Sequence, residues 1–238
     1  MKLEQLFEAL SFGELSNLSM SNNGNGTLSV EGKKKVLRHT NEGLLRLYSR
    51  FVLKEADVLI RLTKNVTNYH LVPRFAVNYQ PEFPGGEDDE SLRYILDLPR
   101  ERFTGDVLKV LSVTDSDGCR LPLNDDNAEM SVFTPQGNVL QVPDPIQDKA
   151  LAVVYQARHV KLLGELDEEI QLPELLEGAL TAFVAYKIYS HMNTSDSLAI
   201  AQGHLGNYEK ICSGVVEQDL VNASISTSNS RFKTRGWI

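Results

Sequence analysis

Residues 172–189 read LPELLEGALTAFVAYKIY, and residues 195–220 read SDSLAIAQGHLGNYEKICSGVVEQDL. Both stretches have the apolar spacing of α-helices, the first continuing to about residue 192, so the predicted helices cover residues 172–192 and 195–220 with a hinge of only about three residues between them. A connection this short makes the two helices antiparallel neighbours. In the second helix, apolar or small residues recur at steps of three and four, which predicts a heptad-like packing seam. The seam consists of Leu198, Ala201, Leu205, Tyr208, Cys212 and Val215.

Two more helices are predicted before residue 53. Residues 2–11 carry apolar side chains on one helical face, and residues 30–52 keep the same 3.6-residue spacing over a longer stretch. Gly43 lies in the middle of the longer helix, where glycine lowers helix stability by roughly 1 kcal/mol relative to alanine. The Ser-, Asn- and Gly-rich residues 11–26 separate the two helices.

From residue 53 the sequence pattern changes from helical to β-like. Short apolar runs alternate with turn signals at Asp115–Gly118 and Pro135–Asn138, which is typical of hairpin-connected strands. The predicted strands cover residues 58–62, 107–113, 131–133, 139–142 and 151–157.

These patterns predict an α+β fold. The N- and C-terminal helix pairs, residues 1–52 and 166–220, form a discontinuous domain with a four-helix bundle-like core. A β-rich insert domain, residues 53–165, interrupts that core, and residues 221–238 follow as an extended C-terminal tail.

The composition describes an ordinary globular protein of 238 residues with an acidic balance. Its hydrophobic content of 42% permits a core without metal or disulfide support, and the net charge of −8 disfavours tight nucleic-acid binding over its main surface. The two cysteines lie far apart in sequence, which favours a reducing compartment. No apolar run approaches the roughly 20 residues that span a bilayer, and the first residues do not form a signal peptide.

Motifs for metal, cofactor or nucleophile chemistry are incomplete. Asp115, Asp117 and Gly118 resemble the start of a calcium loop, but Asp126 stands where that loop needs a glutamate, so an exposed hairpin turn is predicted instead. The five histidines have no zinc-site spacing, and no phosphate loop or G-x-S-x-G motif occurs. The sequence therefore predicts no enzyme activity, cofactor or metal site.

Two alternatives of other classes stay open. A cell-wall hydrolase would need paired carboxylates in a cleft, and Asp125, Asp126 and Glu129 of the insert are the candidates. A bacterial regulatory module is the other alternative, and it would form a small dimer in solution.

The C-terminal tail is the strongest candidate for binding a partner. Residues 221–230 are of low complexity, and the chain then ends in aromatic, aliphatic and basic residues with the only tryptophan next to last. Aromatic and arginine side chains dominate binding hot spots, and a polar segment that carries them can become ordered on a partner. The candidate docking residues are Arg231, Phe232, Lys233, Arg235, Trp237 and Ile238.

Two parts of the chain together resemble the head-to-tail adaptor, or head-completion connector, proteins of short-tailed bacteriophages. Residues 13–18 and 43–54 carry the resemblance near the N-terminus, and residues 172–180 with Tyr186, Tyr189 and 208–210 carry it near the C-terminus. The resemblance covers about half of the chain and does not include the β-rich insert.

This resemblance implies a structural virion protein of the neck between capsid and tail, made in the host cytoplasm. About twelve copies would form a ring that binds the portal protein ring and the tail nozzle or tube protein. The C-terminal tail would dock on the portal, and DNA would pass through the ring without specific binding. Another tail or baseplate component is the alternative within this class.

Overall fold

The computed structural model describes residues 1–18, 27–80 and 92–218. In this part of the chain the protein is α+β, with four α-helices and two antiparallel sheets. The helices are α1 (Leu3–Phe12), α2 (Val30–Arg50), α3 (Glu174–Ser190) and α4 (Ser195–Glu217). The strands are β1 (Glu55–Arg61), β2 (Asn68–His70), β3 (Ile95–Leu96), β4 (Val107–Asp115), β5 (Phe133–Gln136), β6 (Val139–Gln141) and β7 (Ala150–Ala157).

The chain forms two compact units. One contains residues Met1–Val52 and the chain from Lys161 onward, and the other is Leu53–Val160. The helical unit thus resumes at Lys161, five residues before the predicted boundary at 166. The reason is a contact between two residues far apart in sequence. The Asn41 side chain donates to the Leu162 carbonyl at 3.1 Å and accepts from the Leu162 N–H at 2.9 Å.

Helix α3 is the centre of the helical unit, because α1, α2 and α4 all pack against it. Its buried residues lie on nearly every side of the helix, as expected for a helix surrounded by others. The first residues of the chain are held beside residues 168–170, since Leu3 donates to the Glu168 carbonyl and Ile170 donates to the Met1 carbonyl. Helix α1 thereby buries Leu3, Leu6, Phe7 and Leu10.

Helices α2 and α3 pack tightly against each other at Gly43. A Cβ atom added at Gly43 would lie 2.8 Å from Leu180 Cδ1 and 2.9 Å from Phe183 Cδ1, so any larger residue would displace α3 side chains. Gly43 was predicted as a weak point of α2. The structure shows that its missing side chain is what allows the two helices to pack.

The β unit contains a four-stranded sheet in the order β3-β1-β7-β4 and a three-stranded sheet in the order β2-β6-β5. All named strand pairs are antiparallel. Side chains of both sheets form one apolar core, which includes Ile60, Tyr69, Leu140 and Val153. Strand β7 lies between β1 and β4. Its residues from Ala150 to Tyr155 alternate half-buried with buried, as in a strand with one covered face, and the last three residues, 155–157, are all buried.

No helix in the described ranges is long and apolar enough to cross a bilayer. Residues 221–238, which were predicted as an extended tail, lie outside the described residues.

Candidate functional site

Helix α4 begins at a well-formed N-cap. The Thr194 hydroxyl accepts from the Ser197 backbone N–H at 3.2 Å, and the Ser197 hydroxyl accepts from the Thr194 N–H at 3.0 Å. This reciprocal arrangement is a capping box, and it satisfies N–H groups that a helix start would otherwise leave unpaired. The structure confirms the break that the sequence predicted between the two C-terminal helices.

The inner side of α4 differs from the predicted seam at its first position. Ser197, held in the capping box, is buried there, whereas Leu198 is 43% exposed. At 3.6 residues per turn, position 197 points in nearly the same direction as Ala201 and Tyr208, whereas position 198 is rotated toward solvent, so Leu198 lies at the edge of the helix interface. Of the later seam positions, Ala201, Tyr208, Cys212 and Val215 are buried, whereas Leu205 is only half-buried. Burial raises the pKa of the Cys212 thiol, which disfavours a reactive thiolate.

Ion pairs join α4 to α2. The Glu209 carboxylate accepts from Arg50 at 2.6 Å and from Arg46 at 3.5 Å. The Arg46 guanidinium also lies over the rings of Phe183 and Tyr208, at 5.6 and 5.3 Å from the ring centres. These contacts lie on one flank of α4 and leave the side opposite the seam uncovered by described residues.

The outer face of α4, which we define as Ala199, Gly203, Gly206, Lys210 and Gly214, consists mainly of small residues. A Cβ atom added at any of its three glycines would meet no described atom within 4 Å. Three apolar side chains flank this face and are largely exposed: Leu198, Ile200 and Val216. Packing within the described helical unit therefore gives no reason for glycine at these positions.

The β unit contains an apolar pocket of about 330 Å³. Its walls come mostly from core residues of both sheets and from the segments around residues 121, 130 and 144. Met130 and Ile146 line it and are 64% and 54% exposed, and we call this exposed part of the lining its mouth. Its lining includes Leu62, Val132, Phe133, Val142, Asp144 and Leu151.

Acidic side chains surround this pocket. Asp144 lines it directly, and the loop that supplies Ala128 and Met130 to the lining also carries the exposed residues Asp125, Asp126 and Glu129. Lys149 also lines the pocket, but its ammonium is paired with Asp115 at 3.4 Å. The mouth of the pocket therefore combines apolar surface with net negative charge.

The aspartates that resemble a calcium loop form a hairpin turn. The Asp115 carboxylate accepts the backbone N–H groups of Asp117 at 3.0 Å and Cys119 at 2.9 Å. The N–H of Cys119 is the main reason that the pKa of Asp115 is lowered, with Asp117 and Lys149 adding to it. No cluster of three or more potential metal ligands occurs among residues 1–18, 27–80 and 92–218.

The other predicted site residues are distributed as follows. Asp125, Asp126 and Glu129, the candidate hydrolase carboxylates, lie together on the exposed 124–130 loop, where Asp125 accepts the Asn127 N–H in a local turn. The docking residues Arg231, Phe232, Lys233, Arg235, Trp237 and Ile238 lie outside the described residues.

A polar cluster in the helical unit was not predicted from the sequence. His39 on α2 lies 3.5 Å from the Glu42 carboxylate, and its ring centre is 5.3 Å from that of His191 at the end of α3. Lys187 pairs with the same Glu42 at 2.5 Å. Residues 39 and 191 are too distant in sequence for spacing to predict their contact. Burial is the main cause that lowers the pKa of His39, and the nearby His191 and Lys187 lower it further. The Glu42 carboxylate raises the pKa but does not outweigh these effects.

The helical unit is expected to lose stability as the pH falls below about 6.5. The pKa of His39 is lower in the folded than in the unfolded chain, so the unfolded chain binds more protons in this range. Thermal unfolding followed by helix circular dichroism at pH 7.5 and 5.5 measures the loss. The variant His39→Gln should remove most of the difference between the two pH values, and an undiminished difference in that variant would contradict this assignment.

Burial raises the pKa of Glu42, but the hydrogen bonds from Lys187 and His39 outweigh it, so the pKa is lowered overall. The stability that the lowered pKa of Glu42 contributes is lost only as the pH falls below about 4.5, the ordinary pKa of a glutamate. The two effects therefore fall in separate pH windows.

Comparison with known proteins adds no family to these observations, because no protein-family model and no curated protein matches the chain.

Proposed function

We propose that this chain is a structural protein of a tailed-phage virion and that its copies assemble into a ring between the capsid portal and the tail. The phage context rests on the resemblance to head-to-tail adaptors of residues 13–18 and 43–54 near the N-terminus, and of residues 172–180, Tyr186, Tyr189 and 208–210 near the C-terminus. The observation that supports self-assembly most directly is the outer face of α4.

The three glycines of this face are costly for an isolated helix. Glycine in a helix interior lowers stability by about 1 kcal/mol relative to alanine, so Gly203, Gly206 and Gly214 together cost about 3 kcal/mol. No described side chain occupies the space that alanine would fill at these positions. A second helix that packs closely against α4 explains them, because glycine lets two backbones approach. A second copy of this chain is the partner that a ring supplies.

The exposed apolar residues beside the glycines agree with this reading. Leu198, Ile200 and Val216 are 43%, 46% and 59% exposed. Burying such side chains against a neighbouring copy contributes about 25 cal/mol for each Å² of apolar surface removed from water. In such an interface the neighbouring helix would approach the glycines closely, and the apolar side chains that flank them would be buried against it.

The ring also assigns roles to the other parts of the chain. The helices of each subunit form a bundle that packs against its neighbours in the ring, and the β unit faces neighbouring subunits or the tail nozzle. The segment after residue 220 fastens the ring, with the portal as the receptor that the resemblance implies. The net charge of −8 is compatible with a channel through which DNA passes without tight phosphate contacts.

Replacing Gly203, Gly206 and Gly214 together with alanine should separate folding from assembly. We expect the free energy of unfolding of the monomer to rise by up to about 3 kcal/mol, because each alanine favours the helix. Self-association should weaken by about tenfold or more, because three methyl groups obstruct the close approach. Urea denaturation at low protein concentration and sedimentation at high concentration measure the two effects.

The matched control is Gly178→Ala on α3, where an added Cβ would make an ordinary 3.5 Å contact with Ile211 Cδ1. It should stabilise the monomer without weakening association. Rings formed with neighbouring virion proteins, viewed by electron microscopy, give the same comparison when the free protein stays monomeric. Unchanged assembly of the triple variant would overturn the role of this face.

A further inference from the structure

We propose that the apolar pocket of the β unit receives the segment Arg231–Ile238 of a second copy of this chain. The inference rests on the proposed function only in that a ring places copies side by side. It gives the segment a receptor on a sister copy, whereas the resemblance to phage adaptors implies the portal.

The size and lining of the pocket suit a large apolar side chain. A volume of about 330 Å³ lies at the lower end of the range for ligand pockets, and it accommodates an indole ring with an adjacent aliphatic group. Leu62, Val132, Val142 and Leu151 of its lining provide apolar contacts. The dipeptide Trp237-Ile238 supplies this pair of side chains.

Met130 shows that the mouth of the pocket is unusual. It is 64% exposed, and its backbone φ of 60° is a conformation that residues with a side chain rarely adopt. Such a conformation typically costs about 1 kcal/mol or more, and outliers of this kind concentrate at binding sites. A bound apolar segment would cover Met130 and the nearby Ile146, which is 54% exposed.

The charges of the pocket and the segment are complementary. Asp144 lies in the lining, and Asp125, Asp126 and Glu129 lie on the loop that forms one side. The segment carries three cationic side chains and no acidic side chain, with Arg231, Lys233 and Arg235 alternating with its other residues. Opposite charges around an apolar contact favour correct docking and speed the encounter of the two partners.

The length of the chain permits docking on a neighbour. Residues 218–238 follow the end of α4 and, at about 3.3 Å per residue, can bridge up to about 70 Å. That distance exceeds the diameter of a small domain. Copies held side by side also raise the effective concentration of each segment near the next pocket.

The sole tryptophan of the chain makes the binding test direct. A protein ending at Asn222 contains no tryptophan, and a synthetic peptide of residues 231–238 contains the only one. We expect the fluorescence of the peptide to shift to shorter wavelength, saturably, as the shortened protein is added, because the indole enters an apolar site. Higher salt should weaken this binding, since the charges around the mouth are exposed.

Two variants locate the binding in the pocket. Met130→Glu should weaken peptide binding by about tenfold or more, because it places a carboxylate where the apolar segment enters. Asp144→Lys should weaken binding most at low salt. The matched control is Leu98→Glu, which introduces the same charge at a residue of the β unit that is 63% exposed and does not line the pocket. It should leave binding unchanged.

Sedimentation of the full chain then identifies whose segment binds. Docking on a second copy predicts concentration-dependent association that Met130→Glu reduces and Leu98→Glu does not. A monomer at all concentrations whose tryptophan is nevertheless shifted by the pocket would mean docking within one chain, and would overturn the inference.

No fluorescence shift with the shortened protein would also overturn the inference, including the case in which the peptide binds portal rings alone. None of these failures bears on the α4 interface, because the glycine variants can be compared in the shortened protein.

Discussion

Replacing Gly43 with valine is expected to destabilise the helical unit by about 3 kcal/mol. The first atom of the new side chain would lie within 3 Å of Leu180 and Phe183, and overpacking of a tight core costs up to about this amount. Urea denaturation monitored by helix circular dichroism measures the change. Gly203→Val on the outer face of α4 is the control, because the same substitution there meets open space.

A second substitution tests whether contact with Phe183 causes the loss. Phe183→Ala alone should cost about 3–5 kcal/mol, because the ring is buried between α2 and α4 beside Arg46 and Tyr208. In the double variant with Gly43→Val, the valine can occupy part of the cavity. The combined loss should therefore be smaller than the sum of the two single losses. Strict additivity would show that the introduced valine and the Phe183 ring do not compete for the same space.

Replacing Tyr94 with alanine is expected to destabilise the β unit by about 3–5 kcal/mol. The ring is packed edge-on against Tyr69 at 5.0 Å and stacked on Phe75 at 4.9 Å between ring centres. Its hydroxyl accepts from the His70 N–H at 2.7 Å and donates to the His70 carbonyl at 3.0 Å. The residue therefore joins β2 of one sheet to the segment that leads into β3 of the other.

The variant Tyr94→Phe separates packing from hydrogen bonding. It keeps the ring but leaves both backbone groups of His70 without this partner, which should cost about 1–3 kcal/mol. Denaturation followed by near-ultraviolet circular dichroism reports on these tyrosines, and hydrogen exchange at His70 reports on the lost bond. A phenylalanine variant as stable as the natural protein would show that the hydroxyl contributes nothing to stability.

Hydrophobic periodicity predicted the helices well because local spacing determines them. The predicted ranges 2–11, 30–52, 172–192 and 195–220 correspond to α1–α4, with ends that differ by at most three residues. The short strands β2 and β3 were missed, since three and two residues carry no recognisable alternation. Both depend on partners distant in sequence, such as the pairing of Tyr69 with Leu140.

Features that depend on space around a residue were not predictable from the chain alone. The sequence showed glycines at 43, 203 and 206 without showing that the first faces a crowded interface and the others face open space. Likewise, the sequence showed Asp125, Asp126 and Glu129 close together, but their position beside an apolar pocket depends on lining residues distant in sequence, such as Leu62 and Leu151. Leu198 was assigned to the seam because steps of three and four residues both fit a helix, and the structure buries Ser197, four residues before Ala201, instead.

The chain crosses into and out of the β unit at adjacent points. Strand β1 pairs with β7 so that Glu55 lies opposite Gln156, and the Ala157 N–H donates to the Lys54 carbonyl at 2.9 Å. Because its two ends are neighbours, this unit has the geometry of an inserted domain. Its insertion, deletion or replacement would change the chain at one place in space, while the helices before and after it keep their own core.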